Sequence, residues 1–316
     1  MNELLSKMPS EFLRKIKNLY PDNYEQIFET FLNKKKTTFR INYLKTDLVT
    51  LRKDLSRNKI RFNELDYPKG GFISKTPLKH IQNVNLYLNG HIYIQNISSM
   101  IPAIVLSPEK GQRILDLCAA PGTKTTQIVS LCPEAELYAI EKVRVRFYKL
   151  LNNIKIQGAG NYVKAALMDG TLIRRKYPEY FDKILLDAPC STEGRFLASN
   201  PLTFKYWKDK KVKEMVRTQK KLLYSAFFAL KEQGELIYST CTFSPEENEE
   251  ILDWYLDKFN GKIEMVDIKI PLENSVCGIR RWHNRKYSSQ VRLARRILPN
   301  DYMEGFFIAK LRKVSD

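Results

Sequence analysis

Histidine is scarce in this 316-residue sequence, which contains only His80, His91 and His283. A histidine-based triad or a histidine-rich metal site is therefore a poor hypothesis for its function. The five cysteines are an odd number, and no two of them form a CxxC pair. Because their spacing matches neither a zinc pattern nor a disulfide framework, we expect free thiols in a reducing compartment and no bound metal.

Long apolar runs are also missing. No stretch approaches the length that crosses a bilayer, and no lipidation signal is present. The N-terminal segment lacks the apolar region of a signal peptide, and its acidic Glu3 and Glu11 argue against a transit peptide. We therefore expect a cytoplasmic protein without a membrane anchor.

Positive charge, by contrast, is abundant. The chain has 53 Lys and Arg against 35 Asp and Glu, which gives a formal net charge of +18. Such an excess is typical of proteins that bind polyanions, and it favours nucleic acid over a membrane surface as the partner. Hydrophobic residues make up 43% of the chain, enough for a core, and the length favours two structural units over one.

The chain divides into a small α+β unit at residues 1–88 and a longer unit at 89–316. In the first, TTFRINYL predicts a strand, LVTLRKDLSRN a helix and Gly70-Gly71 a turn. The second alternates short apolar runs with helix-length segments, which predicts βαβ units and a mostly parallel sheet. Two later β-type runs, at 262–268 and 305–313, would bring this sheet to seven strands. The other five predicted strands are Arg113–Ala119, Glu136–Glu141, Tyr162–Leu167, Lys183–Ala188 and Gly234–Thr240.

The segment RILDLCAAPGTKTTQIV predicts a strand, a tight loop of small residues and a helix. Such a helix N-terminus offers backbone N–H groups to a nucleotide-like cofactor, although the glycines of a triphosphate loop are missing. Glu141 ends the next strand, where dinucleotide-type folds bind ribose hydroxyls, and Asp169 follows the third. Taken singly, the loop could be a structural turn capped by Asp116 and each acid a solvated strand end. Together they predict a cofactor site.

Two further predicted strands end in thiols. LLDAPCS contains Asp187 and Cys190, and YSTCT contains Cys241. Since the carboxyl ends of parallel strands lie side by side, we expect these three side chains to converge over the cofactor loop. A cysteine is more often a small core residue than a catalyst, and the other three cysteines keep that interpretation, although Cys118 lies in the loop. Two thiols at one sheet edge instead indicate a reaction site.

Three motifs resemble those of the RNA cytosine-C5 methyltransferases of the NOL1/NOP2/Sun (RsmB/NOP) family. They are CAAPGTK at 118–124, LLDAPCS at 185–191 and YSTCTFSPEENE at 238–249. FRIN, IYIQNISSM and RILPNDYMEGFFIAKLRK extend the resemblance over most of the chain. Two departures are small: Thr123 stands where the family often has a second glycine, and Glu141 stands where Asp is common.

The resemblance implies a Rossmann-like, class I S-adenosylmethionine-dependent methyltransferase fold with S-adenosylmethionine as cofactor. It also implies that Cys241 is the nucleophile and that Cys190 assists product release. The residues expected to hold the cofactor are Cys118, Ala119, Ala120, Pro121, Gly122, Thr123, Lys124, Glu141, Arg146, Asp169 and Asp187.

Cytosine chemistry explains why these residue types are needed. Because C5 of cytosine is a poor nucleophile, a thiolate must first add to C6 before C5 can attack a methyl sulfonium. Asp187, near N3 of the base, could share or donate a proton as charge builds on the ring. Lys124 would orient Asp187 or favour a thiolate, unless it is simply solvated.

The target base must leave any stacked helix, which costs a few kcal/mol, so we expect an accessible cytosine in structured RNA. The compact chain favours tRNA slightly over rRNA, and we expect a monomer. Candidate RNA-binding segments are 205–221 with its Tyr206 and Trp207, 280–283, 292–296, and 34–36 with Arg40, although each charge run could be only a solvated face.

Two other functions are weighed against this one. A DNA cytosine-C5 methyltransferase takes its nucleophile from Pro-Cys followed by Glu-Asn-Val, whereas Ser191 follows Pro189-Cys190 here. Cys241 would then be unexplained. An RNA-binding assembly factor without catalysis would not need Asp187 or either thiol. Transfer of a labelled methyl group to RNA distinguishes the methyltransferase, which should catalyse it, from the assembly factor, which should not.

Overall fold

The computed structural model describes residues 3–314, and its N-terminal part is a small α+β unit. Four strands form a sheet in the order β2-β3-β1-β4 with antiparallel pairing. The elements are α1 (Ser10–Leu19), α2 (Tyr24–Leu32), β1 (Thr38–Ile41), α3 (Leu48–Arg57), β2 (Phe62–Glu64), β3 (Gly71–Ser74), α4 (Leu78–Gln82), α5 (Asn85–Leu88) and β4 (Ile92–Ile94). The small sheet therefore includes a strand that lies past residue 88.

The remaining elements form an α/β unit. They are α6 (Ile97–Leu106), β5 (Arg113–Asp116), α7 (Thr123–Leu131), β6 (Glu136–Glu141), α8 (Arg144–Ile156), β7 (Val163–Leu167), α9 (Ile173–Lys176), β8 (Phe181–Asp187), α10 (Asp209–Ala229), β9 (Leu230–Thr240), α11 (Glu249–Lys258), β10 (Ile263–Val266), β11 (Ser275–Cys277), β12 (Arg281–Trp282), β13 (Arg285–Lys286), β14 (Arg295–Ile297) and β15 (Phe306–Lys313). β12 and β13 form a separate two-stranded hairpin, and Trp282 of β12 packs into the core of the large sheet and its helices.

The large sheet confirms the predicted Rossmann-like fold. Its main path runs β11-β14-β15-β9-β8-β5-β6-β7, and the five strands from β9 to β7 are parallel. The runs predicted at 262–268 and 305–313 form β10 and β15, which pair antiparallel. Within residues 3–314 this sheet has nine strands, two more than the seven expected, because β14 pairs with β15 and β11 pairs with β14. β15 pairs antiparallel with β9, so the sheet is mixed at this side.

Successive side chains of the central strands point to opposite faces of the sheet, so that neighbouring residues belong to two different hydrophobic cores. Leu115 packs with apolar residues of α10 and α11, whereas Ile114 packs with α6, α7 and α8. A strand buried on both faces reads as a continuous apolar run, which is why β5 and β8 were recognisable in the sequence. The helices on both faces fix the strand ends at one edge, and the loops that follow those ends face the same side.

The N-terminal unit packs directly against loops of the larger unit. Phe12 of α1 lies 4.8 Å from Phe196 and 5.8 Å from Trp207, measured between ring centroids. Arg40 of β1 is buried and donates to the Thr126 hydroxyl of α7 over 2.9 Å. The two units thus share a core and a buried polar contact.

Two kinds of feature were searched for in the described residues, membrane-spanning helices and metal-binding clusters. Between residues 3 and 314, no helix is both long and apolar enough to cross a membrane. The same residues contain no group of three or more His, Cys, Asp or Glu side chains placed to hold a metal ion.

Candidate active site

The predicted cofactor loop connects β5 to α7 and is tied to the neighbouring strands. The Leu117 N–H donates to Leu185 O and the Ala119 N–H to Ile140 O, each over 2.9 Å. Gly122 has φ = +102°, and a Cβ there would lie 3.0 Å from the Leu150 Cδ1 atom. Glycine is therefore needed on two grounds, left-handed backbone and close packing. The loop fixes where the first turn of α7 points its N–H groups.

Two of the predicted acids lie opposite this loop. Glu141 ends β6, is buried, and accepts from the Val143 N–H over 2.8 Å. Arg146 lies 3.5 Å from the Glu141 carboxylate and donates to Ala120 O over 2.6 Å, so it joins β6 to the loop. Asp169 accepts from the Thr171 N–H over 2.9 Å. Burial opposes ionisation of Asp169, but the Thr171 hydrogen bonds, together with the charges of Lys142 and Lys221, outweigh it and lower the pKa of the carboxyl.

These residues surround a cavity of about 380 Å³, hereafter the cofactor cavity. Of the eleven residues expected to hold the cofactor, seven line it: Cys118, Ala120, Pro121, Glu141, Arg146, Asp169 and Asp187. Ala119, Thr123 and Lys124 line a second cavity instead, and Gly122 lines neither of the two. Gly122 contributes to the shape of the loop through its backbone conformation and does not line either cavity.

The cofactor cavity fits S-adenosylmethionine by its chemistry. The Glu141 carboxylate keeps lone pairs for ribose hydroxyls, while Ile140, Pro189 and Leu222 supply apolar wall. Asp116, at the end of β5, has a buried Oδ1 without a hydrogen-bond partner, and it faces the second cavity beside the loop. Burial raises the pKa of Asp116 to about 7, and a bound cationic donor would favour its ionised form.

The two predicted thiols meet next to this cavity. Cys190 follows β8 and Cys241 follows β9, and their Sγ atoms lie 3.5 Å apart. The register that pairs Asp187 with Ser239 brings the two strand ends together. A hydrogen bond with Cys241, followed by burial, raises the pKa of the Cys190 thiol well above its ordinary value. Cys190 is accordingly a thiol at neutral pH.

Asp187 is held between two donors. Lys124 Nζ lies 2.7 Å from Asp187 Oδ2, and the Ser239 hydroxyl donates to Oδ1 over 2.8 Å. Lys124 also donates to the Ser99 hydroxyl over 2.8 Å and is 6% exposed, so it is not a solvated side chain. The sequence-predicted groups Cys241, Cys190, Asp187 and Lys124 therefore form one cluster.

The second cavity, of about 230 Å³, opens on the other side of this cluster and is hereafter the reaction cavity. Asp187, Arg195 and Cys241 line both cavities. A ligand in each would meet at these residues. The reaction cavity is completed by side chains from separate segments, among them Asn96, Ser99, Glu304 and Phe306.

Among the polar residues of the site that were missed in the sequence are Ser99, Arg195, Ser239 and Glu304. Arg195 Nε lies 3.4 Å from Glu304 Oε2, and the charge of the Glu304 carboxylate raises the pKa of the guanidinium. Ser239 had a usable signal, because side chains two apart on a strand share a face and Cys241 follows two residues later. Ser99, Arg195 and Glu304 had none, since only the tertiary fold brings their segments together.

Cys118 takes no part in the thiol pair. Burial, together with the nearby carboxylate of Asp116, raises the pKa of Cys118 and keeps it protonated. Its side chain packs beside the large core and lines both cavities.

The structure contradicts the prediction that the tryptophans of two basic segments, Trp207 and Trp282, contact RNA. Trp207 is buried among aromatic side chains, and its Nε1 donates to Glu193 over 2.8 Å. Trp282 is also buried and donates to Glu246 over 3.0 Å. Neither ring is free to stack on a base. Tyr206, by contrast, is 75% exposed.

Arg296 and Arg40 were also predicted to lie on RNA-binding surfaces, and both are buried instead. Arg296 is 2% exposed and forms a bidentate ion pair with Glu249, while its Nη1 donates to the Tyr20 hydroxyl. Arg40 is buried against Gln95 and the N-terminal turn of α7. A buried guanidinium needs such partners because its desolvation is costly, and these two therefore stabilise the fold.

Residues 103–312 match the family model described as 16S rRNA methyltransferase RsmB/F, and residues 8–97 match that of the N-terminal domain of 16S rRNA methyltransferase RsmF. A tRNA (cytosine(49)-C(5))-methyltransferase of Pyrococcus abyssi is 38% identical over 295 residues, which cover 92% of this chain and 93% of that protein.

A ribosomal RNA small subunit methyltransferase F of Vibrio campbellii is 33% identical over 98% of this chain, which spans 64% of that protein. Among solved structures, a methyltransferase homologue from Pyrococcus horikoshii is 30% identical with a TM-score of 0.83, covering 99% of this chain and 100% of the other. NSun6 from Pyrococcus horikoshii with SFG has the same fold at 23% identity, a TM-score of 0.83 and the same coverage.

Proposed function

Because the chain belongs to the 16S rRNA methyltransferase RsmB/F family and is an S-adenosylmethionine-dependent RNA cytosine-C5 methyltransferase, we propose that it acts through a covalent bond between Cys241 and C6 of the target cytosine. The observation that carries this mechanism is the thiol pair. Cys190 and Cys241 lie 3.5 Å apart, and Cys241 lines both the cofactor cavity and the reaction cavity.

Cys241 starts the reaction. Its thiolate adds to C6 of a base in the reaction cavity, and the ring electrons then make C5 nucleophilic. Asp187 faces the base near N3 and shares a proton as negative charge builds there. Lys124 and Ser239 hold both oxygens of Asp187, so the carboxyl does not need to reorganise during the step. S-adenosylmethionine in the cofactor cavity supplies the methyl group.

Cys190 completes the reaction. After methylation, Cys190 loses its own proton to solvent and its thiolate takes the proton from C5. The C5=C6 double bond then forms again and the C6–S bond breaks, so that Cys241 leaves as a thiolate. Cys190 is the group next to that bond, and we assign it the role of assisting this elimination. Cofactor binding is assigned to Glu141, Arg146, Asp169 and the loop at 118–124.

The substrate is structured RNA, with tRNA favoured over rRNA. The match to the Pyrococcus abyssi tRNA enzyme extends over nearly the whole of both chains, which supports this order. We assign the N-terminal unit, which was predicted as residues 1–88 and also includes β4, as an extension that binds RNA beside the catalytic unit predicted at 89–316. Exposed basic residues of α10 and the exposed Tyr206 ring continue that surface. We further propose a cytoplasmic monomer.

The two thiols make the mechanism testable. Labelled methyl transfer from S-adenosylmethionine to RNA is measured beside the protein–RNA band that survives SDS, with DNA as the control substrate. Cys241→Ala should abolish methylation and the band, whereas Cys190→Ala should let the band accumulate. The assignment is wrong if the two variants behave in the opposite way, and the RNA assignment is wrong if only DNA is labelled. Bisulfite sequencing of RNA from cells with and without the gene identifies the cytosine.

A further inference from the structure

Each of the two cysteines is directly followed by a buried hydroxyl residue. Ser191 follows Cys190, Thr242 follows Cys241, and the two hydroxyl oxygens lie 2.7 Å apart. The thiols on the preceding residues are 3.5 Å apart. The hydroxyl contact thus runs beside the thiol contact and joins the same two loops.

Two fully buried glutamates brace these loops reciprocally. Glu193, from the Cys190 loop, accepts from the Thr242 hydroxyl over 2.8 Å and from the Phe243 N–H over 3.1 Å. Glu247, from the segment after Cys241, accepts from the Ser191 N–H over 3.0 Å and is hydrogen-bonded to the Ser191 hydroxyl. The Cys190 loop therefore holds Thr242 through Glu193, and the segment after Cys241 holds Ser191 through Glu247. We call Glu193, Glu247, Ser191 and Thr242 the glutamate brace.

The hydrogen bonds of the glutamate brace require one of its two carboxyl groups to be protonated. Its three oxygen–oxygen contacts join Glu247 to Ser191, Ser191 to Thr242 and Thr242 to Glu193. If both carboxyls were ionised, the two hydroxyls would supply two protons for three contacts. One contact would then set lone pairs against each other. A third proton on one glutamate completes the chain.

Glu193 is the ionised member. Its Oε1 accepts from Trp207 Nε1 over 2.8 Å and from the Ser244 hydroxyl over 2.7 Å, while its Oε2 receives the two donors from Thr242 and Phe243. Lys15 of α1 lies 3.7 Å from Oε1 and supplies the counter-charge. Four donors and a cation leave no place for a proton on this carboxylate.

Glu247 is the protonated member. Its Oε2 accepts from the Ser191 N–H and from Gln219 Nε2 over 2.9 Å, but the nearest partner of its Oε1 is the Ser191 hydroxyl. Burial and the charge of Glu193 raise the pKa of Glu247 to about 8, which agrees with the count. The other titratable groups that act on it are Lys15, Cys190 and Tyr238.

We propose that Glu193 and protonated Glu247 are positioning residues, which hold Cys190 against Cys241 at the separation needed to release the methylated product. This inference rests on the proposed covalent function. Neither glutamate lines the reaction cavity or the cofactor cavity, so both act through the cysteine loops. Adduct formation needs only Cys241, whereas release needs both thiols in register. Loss of the brace should slow release more than adduct formation.

Three substitutions separate this role from general support of the fold. Glu193→Gln replaces an oxygen that only accepts with an amide that donates, and Glu247→Ala removes its end of the brace. Both should slow product release at least tenfold, on the order expected when reacting groups are misplaced, and should accumulate the SDS-stable adduct. Glu247→Gln should restore release, since its amide N–H₂ donates to Ser191 while its oxygen accepts from Ser191 N–H and Gln219.

The measurements are the ratio of trapped adduct to released methylated RNA, the melting temperature, and S-adenosylmethionine affinity. The proposal is overturned if Glu247→Gln releases product as slowly as Glu247→Ala, or if Glu193→Gln matches the unsubstituted protein. Should Glu193→Gln fail to fold, Thr242→Val removes one hydroxyl link at nearly constant volume, and normal release by that variant also overturns the brace. An unsubstituted protein that forms no adduct contradicts the covalent function instead.

Discussion

The cofactor cavity and the reaction cavity share one sheet edge but are built in different ways. The cofactor cavity is made mainly by a backbone loop and by acids at the ends of successive strands, in the order in which these follow one another along the chain. The reaction cavity draws Asn96, Ser99, Lys124, Arg195 and Glu304 from separate segments. Binding of a nucleotide-like group can thus be encoded locally, whereas the reacting groups depend on how distant segments pack.

The largest effect should come from breaking the ion pair between Lys124 and Asp187 beside the reaction cavity. Lys124→Met leaves Asp187 without its closest donor, 2.7 Å away, beside a thiol pair. We expect the methylation rate to fall about 100-fold, the scale for a misplaced reacting group, with little change in S-adenosylmethionine affinity. Single-turnover methyl transfer and equilibrium binding of the cofactor measure the two quantities. Lys142→Met, which removes a charge from the wall of the other cavity, is the control.

The matching test on the cofactor side is Glu141→Gln. Loss of the carboxylate charge weakens hydrogen bonds to ligand hydroxyls, which are worth about 1.5–3 kcal/mol when a charged group takes part. We expect the KM for S-adenosylmethionine to rise at least tenfold while the rate at saturation is nearly kept. If kcat falls and KM stays constant, Glu141 does not hold the cofactor and the division between the two cavities is wrong.

A smaller effect is expected from the loop that joins the two cavities. Gly122→Ala places a side chain at φ = +102°, 3.0 Å from Leu150 Cδ1. A left-handed residue costs about 1–2 kcal/mol, so the free energy of unfolding should fall by about that much, with a few-fold loss of cofactor affinity. Urea denaturation measures the first quantity. Gly111→Ala also has positive φ but open space around it, and it separates the backbone cost from the contact with α8.

The last prediction concerns the pH dependence of stability. Burial raises the pKa of Asp116 to about 7, so the folded protein keeps this proton where the unfolded chain, with a pKa near 4, has lost it. Its contribution to the free energy of unfolding is therefore present at low pH and declines as the pH rises from about 4 to about 7.

Asp116→Asn should remove that decline, which is checked by comparing urea denaturation at pH 5 and pH 8 with the unsubstituted protein. Asp182→Asn is the matched control. Hydrogen bonds from Lys231 and Arg113, acting against burial, lower the pKa of Asp182. Both folded and unfolded states hold Asp182 ionised over that range, so its substitution should change stability equally at the two pH values. A constant difference for Asp116→Asn would show that its carboxyl is ionised in the folded protein.

Much of the fold was predictable because its signals are local. The apolar runs of β5 and β8 are long enough to be buried on both faces, and the loop at 118–124 contains the small residues that a tight strand-to-helix turn needs. The predicted strand Arg113–Ala119 ends at Asp116 instead, because the residues after Asp116 already belong to that turn. Charge runs were less informative. They showed an excess of positive charge but could not separate the buried Arg40 and Arg296 from solvated side chains.

The sequence by itself determined the alternation of strands and helices, the cofactor loop, and the two thiols at strand ends, since each depends on residues close together in the chain. Only the tertiary structure decided that Lys124 and Ser239 hold Asp187, that Arg195 and Glu304 line the reaction cavity, and that a buried glutamate crosses from each cysteine loop to the other. These contacts join segments that are distant in sequence. Packing of the two sheet faces fixes their separation, and no local pattern records it.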